Sequence, residues 1–198
     1  THDWPNTTIS GDGGGVANAG SNRGASTLLY TGSGSGSFIS ARSTAQFTMR
    51  DISVIYNNAS FTGTLIDCAG YAIPNAETTN PTFINVNMGS DQSLYSTAAA
   101  MLSLDACLNS VVEGCHIAGA LVGIYVLAHT SVGGNVNTLV RSTAFGPGIT
   151  QSGICNPAFN TTVLNCVFEN TPFAVSVDSA DSAQQISGFT FAGNWCGD

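Results

Sequence analysis

The side chains of this chain best suited to bond-making chemistry are three aspartates in or just after short apolar segments. Asp67 lies in Leu65-Ile66-Asp67-Cys68, Asp105 follows Met101-Leu102-Ser103-Leu104, and Asp178 follows Ala174-Val175-Ser176-Val177. Cleavage of a glycosidic bond takes a carboxylic acid and a second carboxylate about 5–9.5 Å apart. Such a pair works by splitting its proton affinities, one group staying acid and the other base. A neighbouring arginine opposes that split by holding a carboxylate ionised. By this criterion Asp67 and Asp105 are the expected catalytic pair, with Asp178 in reserve. The competing reading is that all three solvate a neutral surface. Tyr125 and Trp195 offer aromatic faces for stacking on sugars, and His129 a hydrogen-bonding ring at a loop edge. Packing beneath a loop or subunit is the alternative for both aromatics.

Other constellations carry less. Glu113 and Arg141 occupy the same place in successive units and form an expected ion pair, worth about 0–1 kcal/mol if exposed. Glu113-Gly114-Cys115-His116 has the residue types of a metal site. On a strand, however, Cys115 and His116 point to opposite faces, so no metal site is expected. The run Gly11-Asp12-Gly13-Gly14-Gly15 lacks the lysine and following helix of a phosphate loop, and no cofactor is implied. The six cysteines show no metal spacing. Cys115 and Cys166 are expected as buried thiols, while Cys68 and Cys107 end neighbouring segments and are candidates for a bridge.

The elements that must position these groups are strands. Of 198 residues 43% are hydrophobic and only 8% charged, against about 25% charged in an average soluble protein. Lysine is absent, whereas there are 23 Gly, 22 Ser, 21 Thr and 17 Asn. Exposed helix faces are built from Glu, Lys, Arg and Gln, so an all-α domain is excluded. A mean hydropathy of +0.19 argues against disorder. The net charge of −8 with four arginines excludes nucleic acid as a partner. No apolar run approaches the ~18 residues of a membrane span, so no membrane insertion is expected.

A repeat organises the chain from Phe38 onward. Its copies are Met49–Val54, Phe83–Met88, Val112–Ile117 and Val140–Phe145, with weaker ones at Val163–Phe168 and Phe191–Cys196. Their fourth positions, 52, 86, 115, 143, 166 and 194, are spaced by 34, 29, 28, 23 and 28 residues. A further strand-like segment separates successive copies. Units of about 28 residues built from strands this short indicate an all-β solenoid. The third position holds Asp51, Asn85, Gly114, Ser142, Asn165 and Gly193, mostly residues that tolerate a left-handed backbone. A corner stacked on itself every ~4.8 Å is thereby expected, with Asn and Asp side chains bonded in a ladder. Residues 1–37 read as a Gly/Ser-rich lead-in with a first coil, and 38–198 as the solenoid, continuing beyond the last copy.

This three-strand coil, with its asparagine-favouring turn, resembles the right-handed parallel β-helix of the pectin-lyase-like superfamily, especially bacteriophage tailspikes. The opening Thr8-Ile9-Ser10-Gly11-Asp12-Gly13 and Leu28-Leu29-Tyr30 resemble the early coils of such proteins. The resemblance implies about six coils of three short strands, with the first-strand face carrying Asp67, Asp105 and Tyr125. It also implies a virion appendage: a homotrimer, joined to other tail proteins, that binds cell-surface polysaccharide outside the cell. Whether that glycan is also cleaved stays open. The superfamily's polygalacturonase signatures Asn-Thr-Asp, Gly-His-Gly and Arg-Ile-Lys are absent, and only Arg42, Arg50 and Arg141 within the repeats are available as a lyase base. A secreted bacterial polysaccharide lyase, hydrolase or epimerase is the alternative, and a structural spacer without ligand the third reading.

Overall fold

The computed structural model describes residues 6–13, 26–42, 44–69, 78–91, 96–127, 136–177 and 187–197. Among them there is no helix, and every strand pairing is parallel. The strands form a twelve-stranded sheet, a six-stranded sheet and a two-stranded one.

The twelve-stranded sheet is the repeat made visible. Strand Phe47–Tyr56 runs through its corner at Asp51 and pairs along its length with Thr82–Ser90, Ile52 opposite Val86. Beyond these two, each copy divides at the corner into a strand before and a strand after. Ile84 pairs with Glu113 and Asn87 with His116, which sets Cys115 over Val86. The same reasoning carries the line through Thr143, Cys166 and Asn194. The register offsets are therefore the sequence spacings, 34, 29, 28, 23 and 28. One copy precedes those found by pattern. Thr7–Ser10 pairs with Phe47–Arg50, and Thr27–Tyr30 with Ser53–Tyr56. The chain between these two strands separates them and breaks the motif in the sequence.

The segments between copies form the six-stranded sheet, in the order Phe173–Ser176, Ser152–Cys155, Ala120–Leu127, Ala98–Asp105, Thr64–Ala69, Ile39–Ser40. One buried cluster fills the space between the sheets, joining Met49, Phe83, Val112, Val140 and Val163 to Ile66, Leu102, Ile124 and Ile154. Each such side chain contributes about 1.5–3 kcal/mol relative to exposure. Phe145 and Phe168 stack with ring centroids 4.6 Å apart and planes 4° from parallel. Glycines make room for them. A Cβ on Gly123 would lie 2.9 Å from the Phe145 ring, and one on Gly153 2.5 Å from that of Phe168.

All six corner residues have the left-handed backbone expected of them, with φ of 54° at Asp51, 53° at Asn85, 62° at Gly114, 49° at Ser142, 51° at Asn165 and 66° at Gly193. The ladder expected there is only partly formed. Asn85 Nδ2 donates to Asp51 Oδ1 at 3.1 Å, but glycine follows and interrupts the run. A second corner, five residues earlier in every copy from Phe83–Met88 onward, carries the continuous ladder. Asn80, Asn109, Asn137, Asn160 and Gly188 have φ of 52°, 54°, 59°, 55° and 69°. Asn109 Nδ2 donates to Asn80 Oδ1 at 3.3 Å, Asn137 to Asn109 at 3.0 Å, and Asn160 to Asn137 at 3.2 Å. The sequence signal was the recurrence Asn-x-x-apolar-x-corner, as in Asn80-Pro81-Thr82-Phe83-Ile84-Asn85.

Asn137→Ala places a Cβ on a left-handed backbone and removes two ladder bonds, an expected loss of about 2 kcal/mol. Asn137→Gly keeps the backbone conformation accessible and should lose less. Urea unfolding of both variants checks this; equal stability of the alanine and glycine variants would refute the role given to the backbone.

Candidate functional site

Asp67, Asp105 and Tyr125 lie on the face of the six-stranded sheet turned away from the core. Cys68 and Leu104 pair and point inward, so Asp67 and Asp105, one residue to either side in alternation, point outward. Across the sheet Ser40, Asp67, Ser103, Tyr125, Cys155 and Ser176 stand in one line. Asp105 sits opposite Ala69, two residues further along than Asp67. Strand spacing and rise put the two aspartate Cα atoms about 8 Å apart.

The expectation that these carboxylates lack an arginine is corrected for Asp67. Arg42 follows strand Ile39–Ser40, which pairs with Ile66–Asp67, and its side chain reaches the aspartate on that neighbouring strand. Its Nε and Nη2 donate to Asp67 Oδ2 at 3.2 and 2.9 Å, and Ser37 Oγ donates to the same oxygen at 3.3 Å. Solvation is not the state of either aspartate: Asp67 is 6% and Asp105 5% exposed. A buried carboxylate in this position is satisfied by charge-assisted hydrogen bonds. The pair is adjacent, as the spacing implied, but Asp67 enters it with three donors already on one oxygen.

Tyr125 is half-buried and packs with Leu121 against a small outer cluster of Ala100, Val122 and Cys155, separate from the main core. Its hydroxyl accepts a hydrogen bond from Asn156 Nδ2 at 3.4 Å. Trp195 is 52% exposed but belongs to the twelve-stranded sheet, opposite Val167, so the structure does not bring it to Tyr125. His129 and Asp178 lie outside the described residues. Phe173 was not singled out from sequence. It is 63% exposed and continues the line Ala100, Val122, Ser152 on the six-stranded sheet. Its position emerges from register alone, because nothing in Pro172-Phe173-Ala174 marks it. Beside it Ser176 Oγ donates to Ser152 Oγ at 2.9 Å.

The Glu113–Arg141 pair forms as expected, at 2.7 Å. Arg50 Nε lies 2.9 Å from Asp51 Oδ2. The Asn85 amide and the Arg50 guanidinium hold the Asp51 carboxyl below its ordinary range, against a small opposing effect of burial. Among the described residues, no three of His, Cys, Asp and Glu converge as metal ligands. All six cysteines are free, five of them buried and Cys196 exposed. The candidate Cys68–Cys107 bridge is not formed; Cys107 Sγ instead donates to the Cys68 carbonyl at 3.1 Å. Burial raises both thiols, and pushes Cys115 up to about 12, so these groups are un-ionised at neutral pH. No known protein family, curated protein or solved structure matches the chain.

His116 lies on the other sheet, opposite Asn87 and Ala144, with its Nδ1 buried and without a hydrogen-bond partner. Burial lowers its pKa, opposed by the carboxylate of Glu169.

Two outcomes follow from these contacts. Arg42→Ala should cost about 1–3 kcal/mol by stranding the Asp67 carboxylate. In a double-mutant cycle with Asp67→Ala, measured by denaturant unfolding, strictly additive losses would refute the coupling. For His116, the folded pKa lies below the unfolded value of about 6.5. As pH falls through and below that value the unfolded chain binds a proton that the folded chain resists. The stability from neutral His116 is thus present above about 6.5 and lost toward acid. His116→Gln should flatten the decline between pH 7 and 5 in the unfolding midpoint, and an unchanged slope would contradict it.

Proposed function

We propose that the chain is a right-handed parallel β-helix, its two main sheets being faces of successive closed coils, and that it serves as a glycan-binding section of a phage tailspike or tail fibre. Stacking of every repeat on the next at constant register supports the β-helix. Three-fold assembly and attachment to the virion, outside the host cell, belong to the same reading and rest on the tailspike resemblance.

The observation that carries the ligand class is the state of the cations. Arg42, Arg50 and Arg141 are each tied to a carboxylate, in a chain with no lysine and net charge −8. Phosphate-rich and strongly anionic polymers find little attraction on such a surface. A neutral polysaccharide is recognised by hydroxyls, carboxamides and apolar ring faces. The six-stranded sheet offers the half-buried hydroxyls of Ser176 and Tyr125 and the exposed ring of Phe173, with the buried Ser152 and Asn156 holding the two hydroxyls from behind. The Asp67–Asp105 neighbourhood is the place for hydrolysis, should the glycan be cleaved as well as held.

The test is binding to an array of neutral and acidic bacterial surface polysaccharides, with release of reducing ends measured in parallel. Retention on neutral glycans, weakened about tenfold by Phe173→Ala (~1.4 kcal/mol), is expected. Failure to bind any glycan would overturn the reading and leave the structural-spacer role. Release of reducing ends that disappears in Asp105→Asn would add the enzymatic step.

A further inference from the structure

The residue after each member of the asparagine ladder turns into the core, and these residues make a column of their own: Pro81, Ser110, Thr138, Thr161 and Phe189. Three hydroxyls therefore stand on successive rungs, with Ser110 0%, Thr138 1% and Thr161 0% exposed. Thr161 settles its own hydroxyl by donating Oγ1 to the Ala158 carbonyl at 2.9 Å. Ser110 Oγ and Thr138 Oγ1 are buried and have no hydrogen-bond partner among the described residues. At Ser110 the carbonyl three residues back, that of Cys107, instead receives the Val136 amide at 3.1 Å. Two adjacent buried hydroxyls without partners are costly unless something polar lies between them.

The geometry selects what that is. Equivalent atoms on neighbouring rungs are about 4.8 Å apart, too far for a direct O–H···O bond of about 2.7–2.8 Å. That separation suits a single bridging atom that bonds to both oxygens. We propose that one water molecule is bound between Ser110 Oγ and Thr138 Oγ1 as a fixed part of the core. Buried waters of this kind satisfy polar groups that the protein itself cannot pair.

A crystal structure of the chain, refined to a resolution that shows ordered solvent, is the direct test. It should show one peak within hydrogen-bond distance of both oxygens, retained in Thr138→Ser and lost in the Ser110→Ala/Thr138→Val double variant. Thermal unfolding gives the second readout, because the isosteric Thr138→Val has opposite effects in the two cases. With a bound water it removes one of the water's anchors and lowers Tm by a few degrees. With a dry pair it removes an unsatisfied hydroxyl and leaves Tm unchanged or higher. An unchanged or raised Tm, or the absence of the peak, overturns the proposal.

Discussion

The left-handed corner is the constraint on which this structure depends. A parallel stack can add a rung only if each turns at the same point as the one before, since a slip of one residue would move every core side chain to the surface. Two turns meet that condition in every repeat from Asn80 onward, at Asn80 and Asn85 and their equivalents, five residues apart. The strand between them is consequently the most regular part of the molecule. All the variation in repeat length, from 34 residues down to 23, is taken up elsewhere.

Much of this was visible in the residues. Asp, Asn and Gly recurring at one position announced the corner, and apolar residues on both sides announced the strands. The second corner was missed because its asparagines stand outside the apolar motif. There they read as ordinary loop residues until register shows Asn80, Asn109, Asn137 and Asn160 to be one line. The first copy was hidden for a different reason. Its two halves, Thr7–Ser10 and Thr27–Tyr30, are far apart in sequence and meet only through Phe47–Tyr56.

At the candidate site, the sequence located the face but not its electrostatics. That Asp67 and Asp105 share a face of adjacent strands follows from alternation and spacing, which are local properties. That Arg42 reaches Asp67 depends on the pairing of Ile39–Ser40 with Ile66–Asp67, a strand of two residues too short to carry a pattern. The burial of both aspartates is likewise a property of what surrounds the face. With so few charges in the chain, the cations are consumed locally: each described arginine closes on a carboxylate within its own or the neighbouring rung.

The asparagine ladder also has a direction. Asn109, Asn137 and Asn160 each donate a hydrogen bond from Nδ2 to the residue one rung earlier and none to the residue one rung later. Their carboxamide dipoles consequently add, as the peptide dipoles of an α-helix do, and each bond polarises the next. The column is an electrically polar rod laid along the outside of the stack, with N–H groups directed toward Asn80 and a carbonyl oxygen directed from Asn160 toward Gly188. Its two poles differ in kind: one attracts electron-rich groups and the other electron-poor ones, although the row consists of four identical neutral side chains.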